Sequence, residues 1–259
     1  MSTYDKSSIE QQKSDISGGA NTVKLVGSCV IGKGILRLND LEKEYFSERY
    51  DSWEGKASFF IPASGSGSRM FAELAQFVTT GEESDALTSF FDELPALALF
   101  QELPLVVREK FEALQSIYLA EYLISEDGMK FSDRPKGLIP FHRTEEGTVN
   151  PFQEQLKQAI RLLGSEGKVH FTIQKDFEGQ VLESLQELGL MDLESIVSFS
   201  HQDSAADAYC FDEEGDLVEV ENAPLRRPAG HGALLKNLNA IKSDLVFIKN
   251  IDNVQHPNK

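Results

Sequence analysis

Apolar positions change their period along this chain, and each change marks an element. Residues 1–20 are rich in Ser, Gln and Gly and bury little, the pattern of a frayed tail. Between residues 22 and 53, Leu25, Val26, Ile31, Leu36, Leu41 and Phe46 return at imperfect helical spacing and predict a helical extension, so residues 1–55 read as an N-terminal tail and extension. The run Ala57-Ser58-Phe59-Phe60-Ile61-Pro62-Ala63 is continuous, short and closed by small residues, as a buried parallel strand entering a loop should be. After a cluster of glycines, Met70, Phe71, Leu74, Phe77 and Val78 fall at helical spacing. Residues 81–130, rich in Leu, Phe, Glu and Ala and punctuated by Pro95 and Pro104, predict a helical insertion of two or three helices. Phe90, Phe91, Leu97, Leu99 and Phe100 within it suit a packed core better than an exposed partner surface.

Further on, a helix is expected over residues 151–163 with Pro151 in its first turn, a strand over 169–173, a helix over 177–188 and a strand over 196–199. Residues 208–211 and 217–220, separated by Asp212-Glu213-Glu214-Gly215-Asp216, predict a hairpin. A helix over 230–239 and an apolar strand at Leu245-Val246-Phe247-Ile248 close the pattern. The alternation predicts an α/β domain over residues 56–259 with a mostly parallel central sheet flanked by helices.

Composition narrows the possibilities. With 259 residues, 41% of them hydrophobic and 26% charged, the chain can bury a sizeable core. A net charge of −17 and the lack of a basic run argue against DNA or RNA as a partner, whereas a small polyphosphate needs only a few backbone donors and one or two cations. Cys29 and Cys210 sit among apolar neighbours and read as buried free thiols, too few for a disulfide framework or a cysteine zinc site. The polar N-terminus and the lack of 18 consecutive apolar residues predict a cytoplasmic protein without a membrane span.

Four segments carry candidate chemistry. Ala63-Ser64-Gly65-Ser66-Gly67-Ser68-Arg69-Met70 lies between a strand and a helix, where missing side chains let backbone N–H groups reach an anion and Arg69 adds a cation. A tight turn also wants glycine for packing alone, so both readings stand. The loop lacks a P-loop ending and the dinucleotide fingerprint spacing. In Arg134-Pro135-Lys136-Gly137-Leu138-Ile139-Pro140-Phe141, proline stiffens the approach and Lys136 is either a phosphate-directed point charge or a solvated lysine. Gly230-His231-Gly232 opens a predicted helix, as an anion site or a capped helix start. Asp252 follows the last strand, at the end where ligands of open α/β sheets collect, or simply caps that strand. His142 lies beside Arg143 near these segments, and the remaining histidines show no metal-binding spacing.

Taken together, the segments resemble the nucleotide-diphospho-sugar transferase superfamily. The glycine loop is similar to the Ala-Gly-Gly-x-Gly-Thr-Arg-Met/Leu signature of sugar-nucleotide pyrophosphorylases such as the UDP-N-acetylglucosamine enzyme, with Ser64 and Ser68 as departures. Pro135-Lys136 resembles their Pro-Lys-x-Leu-Leu-Pro segment, 230–232 their Gly-Asn-Gly-Gly stretch with His231 in place of Asn, and Asp252-Asn253 their metal-binding Asp-Asn. Over residues 58–253 the pattern is similar to an uncharacterised bacterial family of that superfamily, apart from the long 81–130 insertion.

The resemblance implies a GT-A/Rossmann-like fold and a nucleotidyltransferase binding a nucleoside triphosphate or nucleotide sugar with Mg²⁺ and transferring a nucleotidyl group to a sugar phosphate. Arg69 and Lys136 would be catalytic, Ala63, Ser64, Gly65, Ser66, Gly67, Ser68, Gly230, His231 and Gly232 would bind the nucleotide, and Asp252 would hold the metal. The chain stops seven residues after Asp252, with no evident acceptor-sugar region or second metal ligand, which suggests a fragment of a longer protein or incomplete catalysis. The competing reading is a non-catalytic nucleotide-binding or regulatory module of the same fold.

Overall fold

The computed structural model describes residues 6–19, 24–145, 147–164, 167–202, 207–227 and 230–256. The chain divides into two compact units, one of Met1–Gly55 with Asp203–Ala233, the other of Lys56–Gln202 with Leu234–Lys259.

The first unit is built from short pieces. A helix, Lys6–Ser17, occupies the stretch whose polarity suggested a frayed tail. Gln12 of that helix accepts the backbone N–H of Tyr209, and Lys13 lies 3.5 Å from Asp216, so polar side chains tie it down where an apolar stripe is missing. The extension expected over 22–53 is helical only at Asp40–Asp51, which begins with a reciprocal capping box between Asn39 and Glu42. Ahead of it Val30–Ile31 pairs with Gly34–Ile35, because Gly32 and Gly34 take left-handed conformations (φ 84° and 86°) that end any helix. Cys29 is exposed and Cys210 half-buried, so the free thiols are not the buried ones their neighbours suggested. The hairpin expected over 208–220 closes only at a Phe211–Leu217 bridge. Glu221 and Asn222, at φ 53° and 63°, make a second turn that pairs Glu219–Val220 with Ala223–Pro224 and returns Arg226–Arg227 to Ala208–Tyr209.

The second unit is mixed α/β around a four-stranded, all-parallel sheet in the order Leu245–Ile248, Ala57–Pro62, Lys168–Ile173, Val197–His201. Ala57–Pro62 is buried over its four central residues, as a strand covered on both faces must be. On one face Phe59, Ile61, Val169, Phe171 and Val197 meet Phe152, Leu156 and Ala159 of the Pro151–Leu163 helix and Val181 and Leu185 of the Glu178–Gln186 helix. Pro151 at the first turn, an Asn150/Gln153 capping box and Gly164 at the end fix the bounds of the first of these helices. On the other face His170 stacks on Phe60, and Asn237 of the Leu235–Ala240 helix donates to Ser200.

The expected insertion is helical, with Asp85–Glu93, Leu105–Glu109 and Ser116–Ile124 joined by 3-10 turns. Its Phe91, Leu99 and Phe100 are buried in a second core with Phe71, Leu74, Phe77, Phe131 and Ile139, against which Phe90 and Leu97 pack. No helix among the described residues is long and apolar enough to cross a membrane.

Strand order places the site. The chain steps outward from Ala57–Pro62 through Lys168–Ile173 to Val197–His201, then returns to pair Leu245–Ile248 with the opposite edge of Ala57–Pro62. The order reverses between those two strands, and a crevice opens at the carboxyl ends of strands at such a reversal.

Candidate functional site

The glycine loop leaves the carboxyl end of Ala57–Pro62, and the segment 249–253 leaves that of Leu245–Ile248. Both border the reversal. The loop also bridges the two cores, since Ala63 belongs to the sheet core and Phe71 to the helical one.

The loop and the Lys136 segment are tied by backbone. Gly67 N–H donates to Arg134 O at 2.9 Å and Lys136 N–H to Gly65 O at 3.0 Å, forming a single antiparallel bridge between Ser66 and Pro135. Gly67 has to be glycine, because a Cβ there would lie 2.7 Å from Phe131 O and 3.0 Å from Ile139 Cδ1. Gly65 differs: a Cβ would meet nothing within 4 Å, and its φ is not positive. Neither packing nor backbone strain demands glycine at 65.

Several loop amides are already used. Ala63 N–H donates to Thr172 O, and Met70 and Phe71 N–H both donate to Gly67 O, at 2.8 and 3.3 Å. The N–H groups of Gly65, Ser66, Ser68 and Arg69 have no protein acceptor among the described residues, and all four residues are exposed. These four amides flank the bonded Gly67 in the turn before the Ala72–Thr80 helix, and unbonded N–H groups ahead of a helix are donors from which an anion can accept. Ser66 and Ser68 hydroxyls lie 2.9 Å apart across it. The Arg69 side chain makes no hydrogen bond or ion pair among the described residues.

Lys136 and Asp252 meet directly, with Nζ 2.5 Å from Oδ2 and side chains 32% and 37% exposed. Their backbones are fixed from opposite sides. Gly137 allows the approach of Phe152 and Ile251, whose atoms would lie 2.6 and 2.7 Å from a Cβ there. Gln155, fully buried, donates Nε2 to Asn250 O at 2.9 Å and Asn253 O at 3.2 Å and so clamps the turn that carries Asp252.

Sequence reasoning passed over this glutamine, although its position signals it. Residue 155 stands three after Phe152 and one before Leu156, on the stripe the helix buries, where a polar side chain needs a partner. It also passed over Gln174 and Gln202, which hold Ser64 through its carbonyl (2.6 Å) and its hydroxyl (3.4 Å). Lys249, beside the turn, bonds Gln158, and burial lowers its amine from the usual lysine range.

His142 borders a different contact. Its Nδ1 lies 3.1 Å from the buried carboxylate of Glu154, while Arg143 donates to the carbonyls of Pro95 and Leu97 in the insertion. His256 Nε2 bonds Arg143 O at 2.8 Å. Gly230, His231 and Gly232 fall in the first unit, where residues 231–234 form a 3-10 turn; the six-residue α-helix begins only at Leu235. Within the second unit the loop, Lys136 and Asp252 are brought together.

The chain belongs to the DUF4301 family, described as a domain of unknown function, whose model matches residues 2–259. No curated protein and no solved structure matches it.

Proposed function

We propose that the second unit is a nucleotidyltransferase-like domain of GT-A type that binds a nucleoside triphosphate or nucleotide sugar at the glycine loop. The observation that carries this reading is the unbonded, exposed amide run of Gly65, Ser66, Ser68 and Arg69 at the sheet's order reversal, with Lys136 and Asp252 on the adjoining segments. Loop amides and Arg69 hold the phosphates, and Lys136 steadies the phosphate that is attacked or transferred. Transfer of a nucleotidyl group to a sugar phosphate needs alignment and charge neutralisation rather than a covalent nucleophile, which suits a site of amides and cations.

Asp252 fits Mg²⁺ in one limited sense. It is a single, partly exposed carboxylate, and no cluster of three or more His, Cys, Asp or Glu suited to a metal occurs among the described residues. Mg²⁺ is commonly held by one or two carboxylates with substrate phosphates completing the shell, so the residues fit a metal that arrives with the ligand. When bound, the metal neutralises phosphate charge.

The same single carboxylate favours the second reading, a nucleotide-binding or regulatory module without turnover. A thermal-stabilisation panel of nucleoside triphosphates and nucleotide sugars, with and without Mg²⁺, tests binding. A ligand at ~100 times its dissociation constant raises stability by about 2.7 kcal/mol. A Mg²⁺-dependent rise that Arg69→Ala and Asp252→Ala both abolish is expected, and no rise with any ligand refutes the proposal. Pyrophosphate release in the presence of sugar phosphates then separates the enzyme from the module.

A further inference from the structure

We propose that the helix Asp40–Asp51 and the segment ahead of it form a self-association surface, in which the helix pairs antiparallel with the same helix of a second copy of this chain. No residue of that helix is buried, although it begins with the Asn39/Glu42 capping box. Isolated helices of this length are marginal in water, and helices in proteins draw most of their stability from packing one face. With about 100° between successive residues, Leu41, Glu42, Tyr45, Phe46, Arg49 and Tyr50 share one half of the circumference, and the other half holds only polar and charged residues.

Leu41 is 78% exposed, Tyr45 53% and Phe46 54%, and Trp53, just past the helix, stacks on Tyr50 at 6.1 Å. Leu25, Val26 and Leu36 in the preceding segment are more exposed still. Together these side chains present on the order of 1,000 Å² of apolar surface, against the ~800 Å² that each partner contributes to a standard interface. The face also carries Tyr, Trp and Arg, the residue types that most often anchor interfaces.

Charge selects the occupant. A twofold axis between Tyr45 and Phe46 sets Tyr45 against the partner's Phe46, Leu41 against the partner's Tyr50 and Glu42 against the partner's Arg49, each contact occurring twice. A parallel pair would instead oppose Glu42 to Glu42 and Arg49 to Arg49. An anionic bilayer does not fit, because Asp40, Glu44, Glu48 and Asp51 dominate the polar half, where a helix lying on such a surface carries Lys and Arg.

Sedimentation velocity over a concentration series tests the pairing, with the fluorescence of Trp53, the chain's single tryptophan, as a second reading. The wild type is expected to pass from one chain mass to two as concentration rises, and the Trp53 emission shifts to the blue in step as the ring leaves water. Phe46→Glu puts a carboxylate at the axis and weakens association about a hundredfold, whereas Met191→Glu, at an 88% exposed position of the second unit, changes it by no more than about twofold. Arg49→Glu and Glu42→Arg each lose about tenfold alone, because each sets like charges together. Mixed, they regain wild-type affinity, since both crossed contacts are then Glu to Arg.

A wild type that stays a single chain up to millimolar concentration overturns the proposal, as does a dimer that Phe46→Glu leaves intact. A blue-shifted Trp53 emission that neither dilution nor Phe46→Glu changes means that the chain covers this face itself, and overturns it too. A mixture of Arg49→Glu and Glu42→Arg that associates no better than either alone rules out the antiparallel arrangement.

Discussion

The two ends of the glycine loop keep different company. At Gly67 and Phe71 the chain is anchored in the helical core, with Ser68, Arg69 and Met70 exposed between them: Gly67 lies against the Phe131 carbonyl, and Phe71, 3% exposed, stacks on Phe131 at 5.8 Å. From Ser64 to Ser66 the chain is held by Gln174, Gln202 and the bridge to Lys136, but Gly65 faces open space. The same residue type thus stands in two different settings within three positions. Close packing explains the second glycine, and nothing within the folded chain demands the first.

Phe71→Ala is expected to have the largest effect, costing about 3–5 kcal/mol as for other large-to-small changes in a core. Gly67→Ala comes next, at about 1–3 kcal/mol, because the carbonyl and side chain it would strike must shift. Both are read from denaturant unfolding, and a Gly67→Ala variant as stable as wild type would break the comparison.

His170 supplies an intermediate effect from the sheet beneath the loop. Burial lowers its pKa from the usual 6.5, and its ring nitrogens lie 2.8 and 2.7 Å from the Ser198 and Ser200 hydroxyls. The unfolded chain takes up that proton first. Stability is therefore full above pH 6.5 and falls as pH drops through the folded value, with a slope of at most about 1.4 kcal/mol per pH unit. His170→Gln should flatten the profile in this window.

The smallest effect on stability belongs to Gly65→Val, within about 0.5 kcal/mol of wild type. Its nucleotide affinity should nonetheless fall at least tenfold. A variant that binds as well as wild type would return Gly65 to an ordinary loop position and remove the contrast.

Much of this was legible in the sequence where one period dominates. The run at 57–63 announced a strand, and Pro151 marked the first turn of the helix expected over 151–163, both of which the structure contains. Helical character over 81–130 was legible too, although its 3-10 turns were not, since turns of three to five residues are too short to show a period. The first unit was hardest: Lys6–Ser17 buries no residue, so no stripe betrays it. At the site, residue types gave the loop, Lys136 and Asp252 as separate candidates. That Lys136 and Asp252 touch is a product of strand order and of Gln155, and neither can be seen in linear spacing.

The most direct test of the central claim is a crystal structure of the protein with Mg²⁺ and the nucleotide selected by the stabilisation panel. The account predicts phosphate oxygens within hydrogen-bonding distance of the Gly65, Ser66, Ser68 and Arg69 amides, with Lys136 and Asp252 parted. A nucleotide lodged elsewhere, with the loop amides facing water and the ion pair intact, would contradict it.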